Sequence, residues 1–365
     1  MLRLLLYVLV THLFITCCNS QSNKEIPEIL PEKAGYNLSF FPSLTKKLND
    51  SIPSLGSFLV SIDGKLVYEH YFHGATKETV FNIKSITKSV VSALAGIATS
   101  QGKLPNLNTP VLTFFPEFSK PRKVSSDVWF ATDKSREDSI RRTLRLKDLL
   151  TMQPGWEWND FGPVVNVFVN SADPVRFTMD IPFAELPGTR FVYCSAATSL
   201  FSAALSKCIK TDLKSFATTY LFEPAGMTLA GWDKDPAGRY VGASEMYMTS
   251  RSLLRFGTIY LNKGKINGKQ IISENWINES TREQAVLNYW DILPNANGYG
   301  YYWWRRKTNG HQAWIASGAG GQIITVIPEL HIVVVANCFL NEHNRGREEI
   351  ARIHAFVDEV IKVSK

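Results

Sequence analysis

Ser85-Ile86-Thr87-Lys88, followed by Ser89 to Thr99 (SVVSALAGIAT), is the stretch from which the rest of the chain is read. A hydroxyl and an amine three positions apart share one face of a helix. The run behind them is small, apolar and uncharged, so the spacing predicts a buried helix that carries both groups into a partly desolvated site. Desolvation and the positive helix N-terminus both disfavour a protonated lysine. A lysine depressed in this way can take the proton of a serine and turn a weak nucleophile into an acylating one. The tetrapeptide is cheap by itself, because Ser43-Leu44-Thr45-Lys46 and Ser100-Gln101-Gly102-Lys103 share its spacing. The first sits in a polar, lysine-rich segment and the second ends a helix beside a glycine, so neither is followed by such a run.

Two distant segments complete the pattern. Pro187-Gly188-Thr189-Arg190-Phe191-Val192-Tyr193-Cys194-Ser195 reads as a turn, a short extended piece and the entrance to a second apolar helix, with Tyr193 at that entrance. Ala316-Ser317-Gly318-Ala319-Gly320-Gly321-Gln322 leads into the apolar strand Ile323 to Ile327, and its glycines permit close backbone approach.

With these residues in order, the chain resembles the serine β-lactamase and penicillin-binding superfamily, in the branch similar to class C β-lactamases, family VIII esterases and 6-aminohexanoate-oligomer hydrolases. Ser85-x-x-Lys88 matches the first family motif, Tyr193-Cys194-Ser195 stands where Tyr-x-Asn is usual, and Ala316-Ser317-Gly318 stands where Lys-Thr-Gly or His-x-Gly is usual. The stretches LKDLLTMQPGWEW (Leu146 to Trp158) and SEMYMTSRSLLRFGTIYLNKG (Ser244 to Gly264) agree as well. The resemblance implies Ser85 as nucleophile, Lys88 and Tyr193 as the proton-handling pair, and Ser195, Ser317, Gly318 and Ala319 around the substrate. It also implies an oxyanion hole from the N–H groups of Ser85 and Ala319. Which of Lys88 and Tyr193 is the base stays open, since the cost of ionising a phenol at neutral pH and the attraction of a nearby cation nearly cancel.

Two departures bear on substrate. Ser195 is shorter than asparagine and offers fewer hydrogen bonds. Ala316 removes the cationic or imidazole side chain that in the family helps hold a substrate carboxylate, with Arg190, Arg305 and Arg306 as possible substitutes for that charge. The expected activity is therefore hydrolysis of an ester or small amide through an acyl-serine. A D,D-peptidase or weak β-lactamase is the alternative enzyme, and a catalytically idle ligand-binding or sensor domain the alternative of another class.

Composition fits a large globular enzyme. The chain has 365 residues, 45% hydrophobic, with Lys+Arg 40 against Asp+Glu 33. That mild excess comes without a basic block interleaved with aromatics, so no nucleic-acid partner is expected. Residues 1–20 (MLRLLLYVLVTHLFITCCNS) have a basic start and an apolar stretch, read as an export signal. Lipidation at Cys17 or Cys18 and ordinary cleavage before Gln21 are the two alternatives, so the expected location is periplasmic or extracellular, with any membrane contact through a lipid anchor. Cys194, Cys208 and Cys338 remain, an odd number without framework spacing, and no disulfide scaffold is expected. No cofactor or metal is expected. G-x-S-x-G, H-E-x-x-H and G-x-G-x-x-G in its strand-to-helix context are all missing, and His70 and His73 sit at a spacing that sends strand side chains to opposite faces.

The expected fold is α/β (α+β), serine β-lactamase/transpeptidase-like. Both chain ends build one antiparallel sheet flanked by helices, and the middle forms a helical lobe. Residues 21–365 are read as a single catalytic domain, with a sheet lobe at about 50–84 and 291–365 and a helical lobe at about 85–290. Expected strands are Ser57 to Ile62 and Leu66 to Phe72 around the Asp63-Gly64 turn, then Gly300 to Trp304, Ala313 to Ala316, Gln322 to Ile327 and His331 to Asn337. Ser119 to Arg142 is read as a long charged loop, and Ala351 to Lys362 as a terminal helix.

Overall fold

The computed structural model describes residues 25–119, 134–287, 293–340 and 347–363. The segment 1–20, with Cys17 and Cys18, and residues 120–133 of the charged stretch lie outside the described residues.

The strands are, in chain order, β1 (Leu55–Ile62), β2 (Lys65–Tyr71), β3 (Val80–Asn82), β4 (Leu229–Trp232), β5 (Met246–Thr249), β6 (Lys265–Ile266), β7 (Lys269–Gln270), β8 (Ala296–Tyr299), β9 (Trp304–Thr308), β10 (His311–Gly318), β11 (Gln322–Ile327) and β12 (Ile332–Cys338). Seven of them form one sheet in the order β2-β1-β12-β11-β10-β9-β8, antiparallel throughout. The two chain ends thus meet in the middle of the sheet, where β1 pairs β12 from Leu55↔Cys338 to Ile62↔Ile332. β11 and β12 are buried along their whole length, which is why they read as unbroken apolar runs rather than alternating ones. β1 and β2 are joined through Asp63 and Gly64, both at positive φ (52° and 72°), the conformation of a two-residue type I′ hairpin.

Helices cover both faces. Gly257, on the helix Ser250–Leu261, lies so close to the sheet that a Cβ there would come 2.6 Å from Val333 Cγ1 and 3.0 Å from Ile324 Cγ2. The register pairs Val326 with both Val333 and Trp314, so those residues share that face, and Ala313 with its partner Arg306 points to the other. There the terminal helix Arg347–Val363 closes the sheet, and its Val360 carbonyl accepts from the Tyr36 hydroxyl just ahead of the helix Phe40–Ser51. A buried polar chain pins the helix Ser250–Leu261 to the sheet centre: Ser57 to Ser250 at 2.7 Å, Ser250 to Asn337 at 2.9 Å, and Asn337 to Gln322 at 2.9 Å.

Three expectations need correction. Gly300 to Trp304 is not a strand. The chain turns between β8 and β9, where Gly300 N donates to Trp303 O at 2.8 Å, Tyr302 holds φ 61°, and a side chain at Gly300 would strike the Ser280 carbonyl oxygen. The charged stretch is not all loop either, since Lys134–Arg141 is a helix whose Glu137 accepts from the Phe183 amide at 3.0 Å. The small sheet β3-β5-β4, which carries the chain into the serine helix, was not foreseen. Among the described residues no helix is long and apolar enough to cross a membrane.

Arg306 is buried, and its guanidinium makes two hydrogen bonds to Asp358 on the terminal helix, at 2.9 and 2.7 Å. Removing one partner of such a pair strands a desolvated charge, at about 3–5 kcal/mol. Asp358→Ala is therefore expected to lower urea-unfolding stability by about 3 kcal/mol, and the double variant Arg306→Met/Asp358→Leu to lose less. A double variant weaker than the single one would refute this account of the pair.

Candidate active site

The helix Ile86–Ser100 is buried continuously from Ile86 to Ala98, so its start is a dry place for an amine. Ser85 stands at the N-cap position, yet its side chain makes no cap bond. The hydroxyl instead lies 3.1 Å from Lys88 Nζ and is a hydrogen-bond neighbour of the Tyr193 phenol. Just before it, Lys84 adopts φ 48°. That left-handed turn is held by the Lys84 amide donating to Asn82 Oδ1 at 3.0 Å and by Lys84 Nζ on Glu245 Oε1 at 3.0 Å. The Glu245 carboxylate also accepts from Asn82 Nδ2 at 2.6 Å. Ser43 and Ser100, the other serines of the same spacing, lie on exposed positions far from any such cluster.

Lys88 is 1% exposed and donates to three oxygens: Ala243 O at 2.8 Å, Ser195 Oγ at 3.1 Å and Ser85 Oγ at 3.1 Å. Burial lowers its pKa from 10.5 to about 8, against the opposing attraction of the Asp160 and Glu245 carboxylates. Tyr193 is also buried. Loss of water and the nearby Asp160 carboxylate push its phenol well above the ordinary value, so it is a neutral hydroxyl at neutral pH. Its ring stacks on Trp304, with centroids 5.4 Å apart, and Lys88 Nζ lies 5.1 Å from the ring centroid.

Tyr193 is delivered by the segment the sequence marked as LKDLLTMQPGWEW. Met152, at φ 56°, accepts from the Val192 amide through its carbonyl at 2.7 Å and from the Cys194 amide through its sulfur at 3.3 Å, and Gly188 N donates to Gln153 O at 2.8 Å. Cys194 then caps the helix Ser195–Ile209, its sulfur accepting from Ala197 N.

The third segment closes β10. Ala316 pairs Ile324, Ser317 pairs Ile323 and Gly318 pairs Gln322 without a bulge. Gly318 is required by contact, since a Cβ there would come 2.5 Å from the Ile83 carbonyl oxygen and 3.1 Å from Lys84 Cβ. The strand end is thereby laid against the backbone that leads into Ser85. Ser317 is half-buried, Ala319 exposed and Ala316 buried. The three arginines considered as substitutes for the missing cation are engaged elsewhere: Arg190 pairs with Glu185, Arg305 donates to Thr281 O at 2.7 Å and Gln312 at 3.2 Å, and Arg306 is buried against Asp358.

Asp160 is the site residue that sequence reasoning missed. Its Oδ1 accepts from the Ser195 amide at 2.6 Å and from Trp158 Nε1 at 2.9 Å, while Oδ2 accepts from Ser195 Oγ at 3.0 Å. The quoted motif stretch stops at Trp158, two residues short of it, and a single aspartate after an aromatic pair carries no spacing signal. Of the other tryptophans, Trp156 and Trp303 are core residues, and Trp304 backs Tyr193. Among the described residues no group of three or more His, Cys, Asp or Glu side chains is placed to hold a metal ion.

The Beta-lactamase family model matches residues 43–358, and the chain belongs to that family. Similar folds are seen in the "Putative 6-aminohexanoate-dimer hydrolase from Bacillus anthracis" (TM-score 0.70, 19% identity, 93% of this chain and 87% of that one) and in "EstCE1, a hydrolase with promiscuous acyltransferase activity" (0.65, 15%, 90% and 98%). A D-stereospecific amidohydrolase from Streptomyces sp. is likewise similar (0.63, 15%, 86% and 98%). Protein Rv1367c of Mycobacterium tuberculosis is 29% identical over 164 residues, 43% of this chain. The chain spans 40% of the length of the curated relatives it matches.

A lysine held at about 8 in the fold and 10.5 when unfolded binds fewer protons in the folded state between those values. Stability therefore rises with pH across that window and is flat with respect to this group on either side. Compared with Lys88→Met, the unmodified protein is expected to gain on the order of 3 kcal/mol between pH 8 and 10.5, and its Lys88 signal in lysine-labelled NMR to titrate near 8. A midpoint at the ordinary lysine value would refute this.

Proposed function

We propose that this member of the beta-lactamase family is a serine hydrolase that forms an acyl intermediate on Ser85 from a neutral ester or small amide. The observation that carries the reading is the coordination of Lys88. A neutral amine has two N–H groups and one lone pair. Ala243 O can only accept, and Ser195 Oγ, whose proton is directed at Asp160, accepts as well. Once the ammonium gives up the proton it donates to Ser85 Oγ, the lone pair is left facing Ser85.

In the proposed reaction Lys88 takes the Ser85 proton as Oγ bonds to the substrate carbonyl carbon. The carbonyl oxygen becomes an oxyanion, for which the family resemblance assigns the N–H groups of Ser85 and Ala319. Collapse breaks the bond to the leaving oxygen or nitrogen, which takes a proton from Tyr193, and the phenol recovers one from the Lys88 ammonium. Water then bonds to the acyl carbon as Lys88 takes its proton, the bond to Ser85 Oγ breaks as Lys88 returns that proton to it, and the acid is released. The burial that keeps Tyr193 protonated suits a donor and argues against the tyrosinate as base.

Preference for an uncharged substrate rests on Ala316 and on the three engaged arginines. A carboxylate-bearing substrate forgoes a charge-assisted hydrogen bond there, worth about 1.5–3 kcal/mol, or roughly ten- to a hundredfold in binding. The similar proteins named as a 6-aminohexanoate-dimer hydrolase, an amidohydrolase and a hydrolase with acyltransferase activity support the hydrolase class of the reading, while the preference for an uncharged substrate rests on Ala316 and the arginines alone. Export, by cleavage or lipid anchoring within residues 1–20, is part of the same proposal and rests on the composition of that segment alone.

The test is labelling and turnover together. A fluorophosphonate probe is expected to label the protein and to fail on Ser85→Ala, and kcat/KM for a p-nitrophenyl ester of a short acid is expected to exceed that for a chromogenic cephalosporin. Faster cephalosporin hydrolysis would move the reading to a β-lactamase, and labelling without turnover to a sensor. Tyr193→Phe should keep the fold and lose about a hundredfold in kcat, the scale of a positioned proton carrier. An unchanged kcat would make Tyr193 a packing residue.

A further inference from the structure

We infer that Asp160 is a positioning residue that keeps Ser195 from competing with Ser85 for the amine of Lys88. The inference rests on the serine-hydrolase reading above. Two hydroxyls stand at the same distance from Lys88 Nζ, Ser85 Oγ and Ser195 Oγ, both at 3.1 Å. A serine hydroxyl has one proton and is free to rotate it. If Ser195 turned its proton to the amine, it would occupy the lone pair that Ser85 must find, and Ser195 would sit in the base's only open direction.

Asp160 forecloses that rotamer. Its Oδ2 takes the Ser195 Oγ proton at 3.0 Å, while its Oδ1 takes the Ser195 amide at 2.6 Å, so main chain and side chain of the same serine are held by one carboxylate. The carboxylate is itself oriented by Trp158 Nε1 at 2.9 Å. With its proton committed, Ser195 presents only lone pairs to Lys88 and becomes an acceptor. No chemical bond changes in this device, and its product is a preferred hydrogen-bond direction.

The charged and titratable groups around Lys88 are few. Asp160 comes from the segment after Trp158, Tyr193 and Cys194 from the entrance of the helix Ser195–Ile209, and Glu245 from the approach to β5. Of these, the Asp160 and Glu245 carboxylates attract the amine, and the thiol and the phenol are held neutral by burial. Asp160 therefore has a second effect, holding the Lys88 pKa higher than burial alone would leave it. Asn at position 160 would reverse both. Its carbonyl can replace Oδ1, but its NH2 would face Ser195 Oγ as a donor and turn the serine proton back toward the amine.

The experiment follows Asp160→Asn, Ser195→Ala and the double variant. Two readouts are used: the pH profile of Ser85 labelling by the fluorophosphonate, and Lys88 titration in lysine-labelled protein. Asp160→Asn is expected to slow labelling about tenfold or more, the scale of one misdirected hydrogen bond, and to move the Lys88 midpoint below that of the unmodified protein. The double variant, with no competing hydroxyl, is expected to label faster than Asp160→Asn. Trp158→Phe, which leaves the carboxylate and removes only its orienting N–H, is expected to show a smaller loss with the midpoint retained. An unchanged midpoint in Asp160→Asn, or a double variant no faster than that single one, overturns the inference. If the unmodified protein takes no probe, the hydrolase reading fails, while the Lys88 midpoints still decide whether Asp160 governs the amine.

Discussion

An ammonium group placed where water cannot reach it is the constraint around which this molecule is organised. Lys88 has lost its solvent and regained three oxygens, one from a main-chain carbonyl and two from serines on different helices. Two of those oxygens have to be brought from remote parts of the chain. Ala243 arrives with the turn ahead of β5 that also supplies Glu245 to Lys84, and Ser195 arrives at the head of its own helix. A buried charge without those partners would cost several kcal/mol, so the geometry of the site and the stability of its surroundings are the same requirement.

That requirement explains the unusual backbone nearby. Lys84 and Glu245 both hold positive φ, at 48° and 62°, and they are the two ends of one ion pair. Strained conformations persist where neighbouring contacts over-determine them. Here the contacts are Asn82, the paired strands β3 and β5, and the β10 end, where Gly318 leaves room for the Ile83 carbonyl. Ser85 is thus held by main chain on both sides, and its side chain makes no capping hydrogen bond to the helix.

What was legible in the sequence follows from what is local. Ser85 and Lys88 declare themselves by helical spacing and an apolar run, and Tyr193 by its turn and helix entrance, because those signals lie within a few residues. The central strands were legible because burial on both faces leaves an unbroken apolar text, as in β11 and β12. Asp160 was not, because its role exists only through Ser195, 35 residues away, and nothing in its own neighbourhood requires a carboxylate. Gly300 to Trp304 misled for the complementary reason: aromatic residues favour strands, but the chain turns there, with the Tyr301 amide donating to the distant Ser280 carbonyl at 2.9 Å, a contact no periodicity encodes. The helix Lys134–Arg141 was hidden by its charge, and its Glu137 is tied to the distant Phe183 amide.

The position of β1 has a consequence for the order in which the site is assembled. Its partner β12 is the last strand, with Leu55 facing Cys338, so the sheet closes by the longest loop in its topology. Such non-local pairing is entropically expensive and late. A ribosome making this chain releases the serine helix early, but the backbone of Gly318 that braces it and the sheet that backs Gly318 exist only after almost everything else has emerged. Ser85 and Lys88 therefore share their helix before the strands that brace them are in place.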